Sequence, residues 1–231
     1  MRLQNKRIAI TGAFGILGSA AVEAALAEGA SVIAIDYASA NLAPSFDGQV
    51  KILGACDLTN QEQAEQALGA ADAAFGGLDA LLNIAGGFSW ETVTDGSIDT
   101  WESMFNINVR TAVLASKAAL PYLTKHAGSA IVNIGANGAV KAGAGLGAYA
   151  ASKSGVARFT ESLAEEVKQQ GVRVNAVLPS IIDTPINRAD MPDADFAQWV
   201  TPEELANVLI FLTSDQASGV TGALVPVVGR V

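Results

Sequence analysis

The stretch RIAITGAFGILG, residues 7–18, decides the fold. Residues 7–11 form an apolar run that predicts a buried strand, and residues 16–28 predict a helix that starts directly after the glycines. Gly12, Gly15 and Gly18 let the backbone turn sharply and approach a diphosphate, which then lies at the N-terminus of the helix. We therefore predict a dinucleotide-binding turn, with its contacts supplied by five residues: Gly12, Phe14, Gly15, Ile16 and Leu17.

The alternation of strand and helix continues along the whole chain. The predicted strands are residues 7–11, 31–36, 50–54, 80–84, 130–134, 173–177 and 223–227. Most of these runs are apolar throughout, which is typical of strands buried on both faces. The predicted helices span residues 16–28, 61–75, about 100–125 and about 148–169, and a last helix begins at Thr201. We expect a kink or break near Pro121, because proline lacks the N–H of the helical hydrogen bond.

Repeated β-α-β units predict an α/β fold of the Rossmann type. The expected architecture is a doubly wound, seven-stranded parallel sheet with helices on both faces, because crossovers between parallel strands are right-handed. No linker or change of composition interrupts the chain, so residues 1–231 are predicted to form a single domain. Residues 181–199 are the exception, since they are polar, contain two prolines and are expected to form a loop over a binding site.

Composition limits the classes of partner. The formal net charge is −9 and no cluster of Lys and Arg is present, which argues against nucleic acid and anionic membranes as partners. A lone cysteine, Cys56, and a lone histidine, His126, predict neither a disulfide framework nor a metal site. The short polar start lacks the apolar core of a signal peptide, and no apolar run reaches the length of a membrane span. The cytoplasm is the expected compartment.

Asp36 ends the second predicted strand, 18 residues after Gly18. A carboxylate at about this spacing reaches the ribose hydroxyls of the adenosine and repels a 2′-phosphate. No Arg or Lys follows it, and Phe14 in the glycine turn is not basic. These residues therefore predict NAD(H) as the cofactor, with Asp36 and the adjacent Tyr37 at the adenosine. The alternative is that Asp36 is a solvated residue at a strand end.

Tyr149 and Lys153 lie four residues apart in the sequence Tyr-Ala-Ala-Ser-Lys, in a predicted helix after the fifth strand. Positions i and i+4 share one helix face, so the ammonium group is expected near the phenol. A nearby positive charge would lower the pKa of Tyr149 and make it a general acid or base near neutral pH. We predict that Tyr149 also contacts the substrate.

Together these motifs resemble the short-chain dehydrogenase/reductase family, over essentially the whole chain. Asn83-Ile84-Ala85-Gly86 is similar to the family's Asn-Asn-Ala-Gly motif, and Asp57-Leu58 to its adenine-contacting pair. The resemblance implies that Asn108 supports a proton-relay water beside Lys153, as a third catalytic residue. It also implies cofactor contacts in the stretch after the sixth strand, from Pro179, the backbone of Ile182 and the side chain of Thr184. The remaining implied cofactor contacts are Asp57, Leu58, Asn83, Ala85, Gly86, Tyr149 and Lys153. For Asn83 and Asn108 the alternative is local hydrogen bonding in the fold.

The chain departs from the family pattern at the catalytic serine. The position 13 residues before Tyr149 is Ala136, whose side chain cannot hydrogen-bond a substrate oxygen. Asn137 follows it and could donate instead, one residue out of register, so both residues are predicted to line the substrate site. The glycine spacing also differs from the commonest family pattern, and Ser180 replaces the usual glycine. A branch that lacks the serine is the quinonoid dihydropteridine reductase type, which residues 85–88 and 183–199 locally resemble.

These features predict an NADH-dependent oxidoreductase that acts on a carbonyl/alcohol pair or on a quinonoid, dihydropteridine-like small molecule. The competing hypothesis is a nucleotide-binding sensor or scaffold that lost turnover with the serine. The resemblance further implies a homodimer or homotetramer paired through two long helices. Residues 111–120 and 154–163 are Ala-rich enough to pack closely in such an interface, and the alternative is that they pack against the sheet. Neither the substrate nor the reaction direction follows from the sequence.

Overall fold

The fold is built around seven parallel strands. A computed structural model describes residues Met1–Val231, that is, the whole chain. The strands are β1 Arg7–Thr11, β2 Ser31–Ile35, β3 Val50–Leu53, β4 Ala80–Asn83, β5 Ala130–Ile134, β6 Arg173–Pro179 and β7 Leu224–Val227. They form one sheet in the order β3-β2-β1-β4-β5-β6-β7, and every neighbouring pair is parallel. The predicted Rossmann-type sheet is therefore confirmed, while the single-domain boundary stays a prediction.

Seven α-helices connect these strands. They are α1 Ile16–Ala27, α2 Gln61–Phe75, α3 Ile98–Met104, α4 Thr111–Leu123, α5 Gly147–Val167, α6 Pro185–Asp190 and α7 Pro202–Thr213. Side chains alternate across the sheet: Val32 and Ala34 belong to one buried cluster, and Ile33 and Ile35 belong to the other. Helices α1 and α7 cover the first face, and α2, α4 and α5 cover the second. No helix is both long and apolar enough to span a membrane.

The prediction for residues 100–125 placed the break in the helix at the wrong position. The chain passes from α3 through a π-helical segment, Phe105–Arg110, into α4, and α4 continues through Pro121 to Leu123. Pro121 lies in the last turn, and the carbonyl it cannot bond belongs to Lys117, an exposed residue that water can reach. The irregularity lies around the buried Asn108 instead, and π-bulges are common at functional sites.

The loop predicted over residues 181–199 is partly helical. Thr184 caps α6 by accepting a hydrogen bond from the Asn187 N–H (3.2 Å), and Pro185 suits the first helical position. A 3-10 turn follows at Phe196–Gln198. The segment returns to the fold through a parallel bridge between Ile182 and Val200. Two prolines therefore mark the start and the end of short elements rather than a structureless loop.

Candidate functional site

A cavity of about 1980 Å³ lies along the carboxyl edge of the sheet. In a doubly wound sheet this edge, at the point where the strand order reverses, is where ligands bind. The cavity is lined by the turns that follow six of the strands, β1 to β6. Most of the residues that the sequence assigned to the cofactor and the substrate therefore converge on one space.

The glycine turn leaves the N-terminus of α1 open. The backbone N–H groups of Ile16, Leu17 and Gly18 donate to no protein acceptor, and Gly15 precedes the helix without a side-chain cap. A Cβ at Gly18 would lie 2.0 Å from the Gly12 carbonyl oxygen, so only glycine permits this close turn. A Cβ at Gly15 would meet only that oxygen at 3.5 Å, on the side of the cavity. Free N–H groups at the start of a 12-residue helix fit an anionic diphosphate.

Asp36 is held beside this turn. Its carboxylate accepts hydrogen bonds from the N–H groups of Phe14 and Ala38, each at 2.9 Å, and it lines the cavity. Asp57 lines the same region and accepts bonds from both the N–H (2.9 Å) and the hydroxyl (2.6 Å) of Thr59. Both carboxylates are therefore held by hydrogen bonds from nearby residues, and no Lys or Arg side chain lines the cavity beside them.

Tyr149 and Lys153 lie on α5 and both line the cavity. The Lys153 Nζ donates to the Ile134 carbonyl oxygen at 2.8 Å. Burial lowers the pKa of Lys153 to about 8 and raises the pKa of Tyr149 to about 12. The predicted lowering of the Tyr149 pKa is therefore not found in this structure, because loss of water around the phenol outweighs any help from the amine. At neutral pH the phenol is protonated and Lys153 is largely charged.

Asn108 acts on the backbone rather than in the cavity. Its Oδ1 accepts from the Gly87 N–H (3.0 Å), and its Nδ2 donates to the Gly87 carbonyl (3.1 Å) and to the Ser152 hydroxyl (3.0 Å). A Cβ at Gly86 would lie 2.7 Å from Asn108 Oδ1 and 3.3 Å from Lys153 Nζ, which places the asparagine next to the lysine. The side chain thus ties the turn after β4 to α5, and the relay role stays a prediction.

Asn83 is buried beneath the cavity floor. Its Nδ2 donates to Ser116 Oγ (3.0 Å) and to Asn133 Oδ1 (2.8 Å), and the Asn133 amide in turn donates to Thr160. Asn83 Oδ1 is the one buried side-chain polar atom that lacks a partner. Asn83 therefore makes local hydrogen bonds, and its contact with the cofactor stays a prediction.

Ala136 and Asn137 follow β5 at the place where the family serine was expected. Ala136 is 3% exposed and has extended backbone, and Asn137 opens a 3-10 turn directly after it. Both residues line the cavity, and the Asn137 amide makes no hydrogen bond within the protein. An unpartnered amide donor therefore stands beside the position where the hydroxyl is missing.

The stretch after β6 reaches the other end of the cavity. The Ile182 N–H has no protein acceptor, while its carbonyl oxygen accepts from Asn187 Nδ2 at 2.7 Å. The Thr184 hydroxyl oxygen accepts the capping bond of α6, its O–H donates to no protein acceptor, and its predicted contact with the cofactor stays a prediction. The Arg188 guanidinium lies 4.8 Å from the Phe196 ring centroid and pairs with Asp183 at 2.6 Å, which stiffens the segment that covers the cavity.

The structure brings most of the predicted residues to the cavity. These are Gly12, Gly15, Ile16, Leu17, Asp36, Tyr37, Asp57, Leu58, Ala85, Gly86, Ala136, Asn137, Tyr149, Lys153, Pro179, Ile182 and Thr184. Phe14, Asn83 and Asn108 do not line it: the Phe14 side chain packs against the core, and the two asparagines are buried in polar networks. Sequence reasoning missed Trp90 as a lining residue, and no motif in the sequence marks it.

The chain matches known proteins over nearly its full length. Residues 6–195 match the family model described as short chain dehydrogenase. A 3-oxoacyl-[acyl-carrier-protein] reductase of Thermotoga maritima is 30% identical over 99% of this chain and 98% of its own length. A meso-2,3-butanediol dehydrogenase of Serratia marcescens is 33% identical over 99% of this chain and 95% of its own.

Solved structures agree with this match. A short chain dehydrogenase from Burkholderia cenocepacia in complex with NADP superposes with a TM-score of 0.90 at 28% identity. The alignment covers 99% of this chain and 98% of that one. The fold and the position of the cavity therefore agree with the family match.

Proposed function

The chain belongs to the short-chain dehydrogenase/reductase family, and from this premise we propose that it is an NAD(H)-dependent oxidoreductase acting on a carbonyl/alcohol or quinonoid substrate. The observation that carries the proposal is that one cavity joins the open N-terminus of α1 to Tyr149 and Lys153. A protein that only binds a dinucleotide has no need of a partly buried phenol one helical turn from a buried amine. When bound, the nicotinamide supplies the hydride chemistry.

The residues of this chain would divide the work in the following way. The N–H groups of Ile16 and Leu17 bind the diphosphate, and the free Ile182 N–H binds the carboxamide. Tyr149 holds the proton that the substrate oxygen accepts. Burial raises its pKa to about 12, so the phenol carries its proton at neutral pH and has one to give in the reducing direction. Lys153 places a positive charge beside it.

Asn137 is the proposed substitute for the serine hydroxyl. Asn137 lines the cavity directly after Ala136, and its amide has no hydrogen-bond partner in the protein. Such an amide can donate a hydrogen bond to the substrate oxygen as charge develops there. A strongly polarised acceptor, such as a conjugated carbonyl or a quinonoid ring, needs least help from it.

NAD(H) is the proposed cofactor. The Asp36 carboxylate faces the adenosine end of the cavity, where a 2′-phosphate would be repelled. The structural neighbour in complex with NADP shares only 28% of its residues with this chain, so the choice rests on Asp36 itself. A homodimer or homotetramer is the proposed assembly, and a small molecule the proposed substrate.

A second function is favoured by one observation, the alanine at position 136. Without a serine hydroxyl the chain could serve as an NAD(H)-responsive sensor that binds and does not turn over. The two proposals differ in a measurable way, because a sensor binds NADH tightly but does not oxidise it, whichever acceptor is added.

The test is oxidation of NADH by the purified protein with diacetyl and with quinonoid dihydropterin as acceptors, and with NADPH in parallel. We expect turnover with NADH, and a loss of at least about 100-fold in kcat for Tyr149→Phe with NADH binding retained. Asn137→Ala should slow a simple ketone more than the quinonoid acceptor, and Asn137→Ser should restore part of the loss. Near-full turnover by Tyr149→Phe would refute the proton role, and tight binding without turnover would favour the sensor.

A further inference from the structure

Two large aromatic side chains stand exposed inside the cavity. Phe88 is 59% exposed and Trp90 is 61% exposed, although both line the same space as Tyr149. They follow β4 in alternate positions of an extended segment. Apolar rings are normally buried, so two of them facing one cavity mark a surface that a ligand can cover.

Phe88 lies against the residue that holds the proton. The rings of Phe88 and Tyr149 are 4.9 Å apart between centroids and 72° from parallel, an edge-to-face contact. A substrate whose oxygen reaches the Tyr149 hydroxyl therefore has Phe88 next to the atoms attached to its carbonyl carbon. The ring borders the reacting group rather than a remote part of the cavity.

Trp90 is fixed in place by the loop that precedes α5. Its indole N–H donates to the Ala144 carbonyl at 3.1 Å, and the adjacent backbone is joined by the Glu91 N–H and the Gly145 carbonyl (2.9 Å). Gly145 has φ +77°, and a Cβ there would lie 2.2 Å from the indole. The glycine thus lets one face of the indole pack closely on the backbone, while more than half of the side chain remains exposed.

The side chains that line the cavity carry more negative than positive charge. Asp99, Glu102 and Asp190 line the cavity, are exposed, and have no ion-pair partner. The single basic lining residue, Lys153, already donates to the Ile134 carbonyl. An anionic group on a substrate would therefore approach carboxylates with no cation to receive it.

We propose that Phe88 and Trp90 form a subsite for the planar aromatic ring of a ketone, and that the three carboxylates disfavour anionic substrates. This inference rests on the proposed function. In the reduction the carbonyl π bond breaks, the carbon accepts the hydride that NADH supplies, and the oxygen accepts the Tyr149 proton. The products are the aryl alcohol, NAD⁺ and the Tyr149 phenolate, which regains its proton from water.

The experiment uses three ketones of similar shape: para-tert-butylacetophenone (neutral), para-acetyl-N,N,N-trimethylanilinium (cationic) and para-acetylbenzoate (anionic). Binding to the NADH complex is measured by ligand-observed NMR, and reduction by loss of NADH, with diacetyl as the acceptor without a ring. We expect the neutral ketone to bind, and the anionic one to have a kcat/KM at least about fivefold lower, with the gap narrowing in high salt. Cationic and neutral ketones of equal kcat/KM agree with the proposal, and equal values for all three overturn the charge part.

Variants separate the two parts of the subsite. Trp90→Leu and Phe88→Leu should each raise the KM for the neutral aryl ketone about tenfold more than the KM for diacetyl, and weaken its NMR binding signal. Glu102→Gln should raise kcat/KM for para-acetylbenzoate severalfold, while Glu23→Gln, an exposed change on α1 outside the cavity, should not. Thermal unfolding checks that each variant is folded. If Trp90→Leu does not fold, Phe88→Leu alone tests the aromatic part of the subsite.

Failure of the subsite is distinguishable from failure of the proposed function. Reduction of diacetyl with no binding or reduction of the aryl ketones would overturn the subsite alone. The protein could bind the aryl ketone, lose this binding in Trp90→Leu or Phe88→Leu, and yet fail to oxidise NADH with any of the acceptors. That outcome would support the subsite and overturn the proposed function. Aryl binding that neither leucine variant weakens would overturn the assignment of these two residues.

Discussion

At the scale of single residues, burial decides the protonation of the Tyr149–Lys153 pair. The spacing of four residues correctly placed both side chains at one cavity. It did not predict that burial would dominate both pKa values, because depth below the surface is a property of the folded chain. The same burial that keeps Tyr149 protonated at neutral pH weakens the charge on Lys153.

The depressed pKa of Lys153 predicts a pH-dependent stability. Between about 8, its value in the folded protein, and its usual 10.5, the unfolded chain binds more protons, so the free energy of unfolding rises with pH. The full shift corresponds to about 3 kcal/mol. We expect Lys153→Met to remove this rise, measured by urea unfolding at several pH values across that range.

Comparison with the variant is needed because Cys56 acts in the opposite direction. Burial raises the pKa of its thiol above 9.0, so stability contributed by the protonated thiol is lost as the pH rises. Subtracting the Lys153→Met curve from the wild-type curve leaves the lysine contribution. A flat difference would mean that the amine is solvated in the folded protein.

Asp36 predicts the choice of cofactor. Asp36→Asn keeps the size of the side chain and removes the charge that repels a 2′-phosphate. We expect the ratio of kcat/KM for NADPH to that for NADH to rise by about tenfold or more, which steady-state kinetics with either cofactor measures. Asp193→Asn, an exposed change outside the cavity, is the matched control. A wild-type preference for NADPH would contradict the argument.

At the scale of elements, apolar runs predicted the seven strands because a strand covered on both faces leaves little room for polar residues. The segment 181–199 was harder, since α6 has only six residues and depends on the Thr184 cap and on Arg188 packing against Phe196. The π-helical turn at Asn108 likewise arises from packing between α3, α4 and α5. Contacts distant in sequence determine both features, so local patterns could not predict them.

The end of α7 depends on one buried arginine. Arg173, 7% exposed on β6, donates to the carbonyl oxygens of Leu212 (2.7 Å), Thr213 (3.2 Å) and Ser214 (3.1 Å). Arg173→Met leaves these acceptors without the donor, and we expect a loss of about 2–4 kcal/mol in the free energy of unfolding. Chemical denaturation measures it. Arg158→Met breaks an exposed pair with Glu161 and should cost under about 1 kcal/mol.

At the scale of the whole molecule, the sequence predicted where the cofactor half of the site lies better than it predicted the substrate half. Glycine turns and strand-end carboxylates have fixed relations to the sheet, so their motifs indicate positions in space. Trp90 enters the site through its contact with Gly145, two residues before α5 begins, and no spacing rule describes that contact. Substrate specificity therefore depends on loops whose shape is set by packing.

Cofactor binding should stabilise the whole fold through the glycine turn. NADH at about 100 times its Kd adds about 2.7 kcal/mol, which corresponds to a rise of about 5–10 °C in Tm for a chain of this length. Gly15→Asp tests whether the diphosphate lies at α1. The residue has φ −73° and ψ 172°, which any residue adopts, and a Cβ there meets only the Gly12 oxygen at 3.5 Å.

The two effects of this substitution have opposite signs. Aspartate is a favourable N-cap, so the Tm of the free protein should be unchanged or slightly higher, whereas the carboxylate should repel the diphosphate and abolish the rise with NADH. Gly15→Ser offers a cap without charge and should retain most of the rise. Thermal unfolding with and without NADH measures all three proteins. A full NADH-dependent rise in Gly15→Asp would mean that the diphosphate does not lie at the N-terminus of α1.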